Sequence, residues 1–346
     1  TLTFYLLPYT LMLLFHGPIS DGIGRIKTMQ WGLLLFFFAS IGCALSTTIE
    51  SLWFFRALQG IGGGAGSVVA RAMVRDLYEG AEAQRVMATV QILFGIAPAI
   101  APMIGGLLLG FHWQGIFIFL ALYAAVSIYM GSKILPETMT KNMLVPITFT
   151  GIIERYKSLL INKEFILLIL SVSANFSAFF IYVLASPVFL IDHLGFTAQQ
   201  FGYLFIPTVS GMLIGSFISK KTAGVIKPSS VLKFGYYFMF CIALSNLLFC
   251  SFMPDNAFFN IGFIALYNIG MASVMPIISL AGLDCFPKIR GTAASGQAFT
   301  QMLFASATAG ILVPIVWFST FGLSLGLFFL ISFGLFTITK TNLWNK

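Results

Sequence analysis

The sequence predicts an all-α polytopic membrane protein, and three observations carry that prediction. Apolar residues make up 58% of the 346 and aromatics 16%, with a mean hydropathy of +0.95; soluble domains hold roughly 45–50% apolar residues. They fall into runs that suit helices crossing a hydrocarbon layer, about 20 residues each, without the alternation of barrel strands. Finally, the charges are sorted. Lys and Arg gather in the intervals around 25–27, 71–85, 133–163, 220–233, 288–290 and 340–346, whereas the opposite loops carry Glu50, Asp192 and Asp255 and no cation. That is the positive-inside pattern, so the net charge of +8 reports topology and not nucleic-acid binding.

Taken in order, the runs near 2–15, 29–46, 52–72, 86–110 and 116–132 come first. Those near 165–191, 201–219, 231–252, 257–283, 293–317 and 321–339 follow, about eleven helices in all. The bias places the C-terminus in the cytoplasm. An odd number of helices then starts the chain outside, so one further helix is expected ahead of Thr1. Between the two sets lies the longest polar interval, with a short amphipathic interfacial helix expected within 145–160. Residues 1–135 form the N-terminal helical half (helices 2–6 if one precedes), 136–163 a cytoplasmic linker, and 164–346 the C-terminal half (helices 7–12).

Chemistry concentrates at His16–Lys27, HGPISDGIGRIK, read as a turn between the first two runs. Gly17 and Gly24 allow a tight path, and Asp21, Arg25 and Lys27 supply fixed charges unsuited to lipid. Arg56 lies within a span, where an unpaired cation costs roughly 2.5–3.5 kcal/mol at the bilayer centre, so it is expected to face a cavity or a polar partner. Gly60, Gly62, Gly63, Gly64 and Gly66 follow it. No strand precedes them, which excludes a dinucleotide loop. Their GxxxG spacing, Gly60 to Gly64, suits close helix packing. Pro98 and Pro102, one turn apart and followed by Gly105 and Gly106, mark a bending or closely fitted helix. Gln59, Gln91, Asn175 and Gln301 lie deep in spans and are expected to face the interior, where Phe94 and Phe179 offer apolar contacts. Weak repeats connect the halves: GPISDGIGRIK with GSFISKKTAGVIK from Gly215, where Lys stands for Asp21, and RVMATVQILFG with RGTAASGQAFTQMLF from Arg290. The four cysteines and three histidines have no metal-ligand spacing. Neither a cofactor site nor an enzyme nucleophile with its base is visible.

Together these residues resemble the major facilitator superfamily. Gly17-x3-Asp21-x2-Gly24-Arg25-x-Lys27 is similar to its signature between the second and third helices, and Arg56-x2-Gln59-Gly60 to that on the fourth. Ala97-Pro98-x2-Ala101-Pro102-x2-Gly105-Gly106 resembles the antiporter signature on the fifth, with Ala101 replacing the usual Gly. The doubled Ala-Pro, Phe180 to Pro187, and Pro287-x2-Arg290-Gly291 resemble the Bcr/CflA bicyclomycin-resistance group of bacterial multidrug exporters. The resemblance implies two six-helix halves around a central cavity, and export of small amphipathic compounds or drugs by proton antiport through alternating access. It further implies a bacterial inner-membrane monomer whose partners are substrate, protons and lipid. It makes Asp21 a gate that closes the cytoplasmic face through the positive end of a helix and a cation such as Arg75, with Arg25 and Lys27 as companions. Arg56 is implied in proton coupling. Alternatives are a narrow carrier for a metabolite, nucleoside or siderophore, and a non-transporting receptor or inactive truncated product.

Overall fold

Helix α1 (Leu2–Ile23) does not stop at Phe15 but continues through the stretch read from sequence as a turn, and α2 (Arg25–Leu45) starts two residues later. The only break is Gly24, at φ 103°, a backbone conformation that L side chains rarely adopt. The Glu137 carboxylate caps the start of α2, accepting from the backbone N–H of Arg25 at 2.9 Å and of Ile26 at 3.1 Å. A turn was expected because polar residues interrupt the apolar run. The helix persists because those polar groups find partners inside the protein.

In this computed structural model, residues 1–110, 112–197, 200–253 and 256–345 are described, with the side chains of 98, 99, 102, 103 and 141 outside the description. The third expected span is two helices, α3 (Ile49–Gly63) and α4 (Ala65–Leu77), parted at Gly64 in the glycine run. Next come α5 (Gly80–Leu109) and α6 (Gln114–Ile134), then α7 (Phe149–Ile161) in the polar interval. The chain continues with α8 (Lys163–Leu184), α9 (Gly202–Thr222), α10 (Pro228–Phe252) and α11 (Ala257–Asp284). Helix α12 (Arg290–Ala307) leads through a wide π-helical turn, Thr308–Leu312, into α13 (Val313–Val316). Pro314, which has no N–H to give, lies just beyond that turn. Helices α14 (Thr320–Thr339) and α15 (Asn342–Asn345) close the chain. Among the described residues there is no strand, and nine helices are long and apolar enough to span a membrane.

The helices gather into two compact units. The first comprises Thr1–Tyr78, Ile100–Asn162 and Leu283–Phe299; the second comprises Glu79–Ala99, Lys163–Gly282 and Thr300–Lys346. In the first unit α3 is held tightly between α1 and α2. A Cβ on Gly60 would collide with the Tyr5 carbonyl, and one on Gly62 with the Gly32 carbonyl. Lipid tails are as apolar as leucine, so such backbone contact is what drives helices together in a bilayer. Gly64 meets Leu13 and His16, and His16 Nε2 lies 2.9 Å from the Ile61 carbonyl just before the break. Gly105 and Gly106 differ from the packing expectation, because a Cβ on either would meet nothing within 4 Å among the described residues. Pro98 and Pro102 fall within α5, but their side chains lie outside the described residues. In the second unit Gly211 and Gly215 of α9 press on the carbonyls of Ala265 and Ile269 in α11.

Candidate gating site

The last two turns of α1 meet the first turn of α12 inside the first unit. Gly17 makes this contact possible: a Cβ there would occupy the position of the Gly291 carbonyl. Its own N–H donates to Ser295 Oγ at 2.7 Å. One turn on, Asp21 is completely buried. Its Oδ1 accepts from the Gly291 N–H at 2.9 Å, and its Oδ2 from the Thr292 N–H at 2.7 Å and the Thr292 hydroxyl at 2.6 Å. Because α12 begins at Arg290, these are first-turn N–H groups without intrahelical acceptors, at the positive end of the helix dipole. A carboxylate fits that position chemically.

Arg25, also fully buried, holds the other side of the cluster. Its Nη1 donates to Asp21 Oδ1 at 2.6 Å and to Ser20 Oγ at 2.7 Å, and its Nε to Asp76 Oδ2 at 2.9 Å. Asp76 accepts in turn from Arg290 Nη1 at 3.1 Å and from the Thr138 hydroxyl at 3.1 Å. Two carboxylates thus alternate with two guanidiniums, so no net charge is left buried. Breaking one partner out of such a pair typically costs about 3–5 kcal/mol, because the other charge is stranded. The linker laces onto the same turns. The Val145 N–H donates to the Asp21 carbonyl at 2.9 Å, and the Tyr156 hydroxyl to the Leu14 carbonyl at 2.5 Å. Burial raises the Tyr156 pKa and keeps this phenol a donor.

The expected helix end is therefore present, but the cation is not Arg75. Arg75 pairs with Asp284, Nε to Oδ1 at 2.5 Å and Nη2 to Oδ2 at 3.2 Å. It lies at the end of α4, next to Asp76 in the chain, and pairs outward, with Asp284 45% exposed. Lys27 is exposed and makes no ion pair among the described residues. Solvent-exposed pairs contribute only about 0–1 kcal/mol. Asp284→Asn is accordingly expected to lower transport by no more than about fivefold, checked against wild type in the same cells.

Asp76, Thr138, Arg290 and Thr292 are the members that sequence reading did not assign to the gate. Two signals bore on them: the Pro287-x2-Arg290-Gly291 resemblance, and the internal repeat, which pairs Arg290 with Arg85. That pairing has a counterpart in the second unit. There the start of α5 meets the end of α9, with Gln84 Nε2 donating to the Ser219 carbonyl at 3.0 Å and Arg85 Nη2 to the Ala223 carbonyl at 3.0 Å. The first copy uses a buried carboxylate; the second uses carbonyls.

Arg56 forms a separate constellation in the first unit. Its Nη1 donates to Gln59 Oε1 at 2.5 Å, Gln59 Nε2 to Ser40 Oγ at 2.8 Å, and Ser40 to the Phe36 carbonyl at 2.7 Å. The guanidinium lies over the Tyr5 ring at 4.4 Å and the Phe117 ring at 5.8 Å. Aromatic faces of this kind partly replace the hydration of a cation. No carboxylate pairs with it among the described residues. Of the other residues expected to line a cavity, Gln91, Phe94, Asn175, Phe179 and Gln301 all lie in the second unit. Asn175 is fully buried and donates to the Tyr236 hydroxyl at 2.8 Å, while Phe179 packs edge-on against Phe180. Gln301 is buried, Gln91 half-buried and Phe94 49% exposed, so the set does not share one environment.

Fold and site define a polytopic helical membrane protein in which a buried carboxylate, lodged on a helix N-terminus, fastens two helices distant in sequence. The family model for the Major Facilitator Superfamily matches residues 1–308, and the chain belongs to that family. It is 28% identical over 287 residues to the bicyclomycin resistance protein homolog of Haemophilus influenzae, covering 82% of this chain and 71% of that protein. It is 27% identical over 298 residues to multidrug resistance protein D of Escherichia coli K12, covering 84% and 72%. In fold it is similar to the human organic anion transporter MFSD10 (TETRAN), with a TM-score of 0.75 and 18% identity over 97% of this chain and 81% of that one. The protein is thus a multi-pass membrane transporter for small molecules and not an enzyme.

Proposed function

We propose that this transporter exports small amphipathic compounds by proton antiport across a bacterial inner membrane, with its C-terminus in the cytoplasm. The halves, 1–135 and 164–346, alternate access to a cavity between them, and the chain acts as a monomer. The observation that carries the transport cycle is the fully buried Asp21 carboxylate bound by the first N–H groups of α12. Such a contact is either made with all its donors or lost, which suits a latch with two states. Arg25, Asp76 and Arg290 set its electrostatic strength. Export of drugs is supported by the relatives named for bicyclomycin and multidrug resistance. Proton coupling is supported by Arg56, a cation held by neutral groups alone and open to a change in its surroundings.

Efflux of a fluorescent cationic dye from energised cells expressing the full-length gene tests this reading. Extrusion that collapses with a protonophore is expected. Arg56→Ala is expected to lower proton-driven efflux by about tenfold or more, the loss of a charge-assisted bond of roughly 1.5–3 kcal/mol; Arg56→Lys retains part of it. Normal proton-coupled flux in the alanine variant would leave Arg56 structural. The same unpaired guanidinium favours a second reading, a narrow carrier whose substrate brings an anionic group to Arg56. Absent dye efflux, with uptake or release of an organic anion that Arg56→Ala abolishes, would select it.

A further inference from the structure

A groove of about 560 Å³ runs between α9, α10 and α11 in the second unit. Ile218, Ile226, Phe234, Phe238 and Ile269 make it apolar, and Ser230 is among the few hydroxyls in its lining. Lys227 is the N-cap of α10, directly after Ile226 and three residues before Ser230; Lys221 follows Ile218 by three on α9. Lys221 and Lys227 thus adjoin two lining residues, Thr222 and Ile226, from opposite walls, with the Lys221 ammonium over the ring of Phe217, 5.5 Å from its centroid. Between them the loop turns at Gly224, φ 79°, and leaves Val225 79% exposed. Lys220, Lys221 and Lys227 are exposed and make no ion pair among the described residues. A second groove of about 570 Å³, along Pro207, Gly211, Phe258 and Phe263, supplies the contrast. No Lys or Arg occurs in 202–219 or 257–283, the segments that form it.

We infer that the first groove holds an acyl chain of an anionic phospholipid whose phosphate is clasped by Lys221 and Lys227. A slot in membrane-spanning helices that is apolar along its length and cationic at its head matches the two ends of that molecule. It lies on the Lys- and Arg-rich side, where anionic headgroups attract juxtamembrane cations. The assignment also accounts for a departure in the repeat. Counting back three residues from Gly224 and from Gly24 places Lys221 where the first copy has Asp21. The first copy keeps its charge for α12; the second turns a cation outward to lipid.

The test is native mass spectrometry of the full-length protein in neutral detergent, titrated with dioleoyl phosphatidylglycerol, dioleoyl phosphatidylcholine or inorganic phosphate. Phosphatidylglycerol is expected to bind in preference, and Lys221→Gln with Lys227→Gln to weaken it about 30-fold, taking each lysine near the surface at its usual strength. Phosphatidylcholine binding is expected to stay unchanged in that variant. Lys133→Gln with Lys157→Gln, on helices that contribute no residue to the groove, is expected to leave phosphatidylglycerol binding intact. Equal binding of the two lipids, or undiminished phosphatidylglycerol binding in the groove variant, would overturn the assignment. Inorganic phosphate competing as well as the lipid would overturn it too, by showing an anion site that does not need the acyl chain. All four lysines are replaced by soluble glutamine, and retained monodispersity checks that the fold survives.

Discussion

Asp21→Asn is expected to cut transport by on the order of 100-fold while leaving membrane insertion intact, because about 3 kcal/mol of differential stability is removed from the latched state. The amide is nearly the same size as the carboxylate, so packing at Gly17 and Gly291 is untouched. What goes is the charge that faces the α12 N-terminus and Arg25, together with one of the acceptors that four donors now share. Arg25 would be left with Asp76 as its only acid. Efflux normalised to the amount of protein in the membrane reads the effect directly. Pairing the change with Arg25→Gln should give less than the sum of the two single losses, since both remove the same contact. Full transport by Asp21→Asn would end the gating role.

Gly17→Val is expected to be as damaging by a different route. Its side chain would enter the space of the Gly291 carbonyl, which is backbone and cannot rotate aside, so α1 and α12 would be forced apart and the three Asp21 contacts to α12 lengthened. Transport should fall to background although every charged residue is still present. Gly105→Ala is the control. With nothing within 4 Å of an added Cβ among the described residues, it should change stability by no more than about 0.5 kcal/mol. A Gly17→Val protein that transports normally would show that the close approach of α1 to α12 is dispensable.

The class of fold was legible because it rests on residue chemistry summed over long runs: apolar length, and cations sorted to one side. Boundaries were legible only where the chemistry of the chain changes with them. The run ending at Phe15 was read as a helix end because Gly17, Pro18, Ser20 and Asp21 are poor company for lipid. The structure keeps the helix because α12, far along the chain, supplies their partners. Gly64 likewise parts α3 from α4 inside a run that reads as continuous. At the candidate gating site, the family resemblance implies a helix end beside Asp21, and the carboxylate accepts from the first N–H groups of α12. Among the cations Arg75 stands foremost in that reading and Arg25 only as a companion, yet Arg25, four residues from Asp21, is the one that meets it. A turn was placed between them, and a turn hides the i, i+4 relation that the extended α1 and the single break at Gly24 nearly preserve. Asp76 and Arg290, separated by more of the chain than any local pattern spans, become neighbours only through the tertiary fold.

The central claim is that the α1–α12 contact opens and closes during the cycle. Pulsed electron paramagnetic resonance on the full-length protein, cysteine-free apart from spin labels at Ile23 and Lys288, measures it most directly; both positions are exposed and flank the latch. The account predicts a dominant short distance in the resting protein, a longer population when substrate is added, and mainly the longer one in Asp21→Asn. A single distance, unchanged by substrate and by Asp21→Asn, would contradict it.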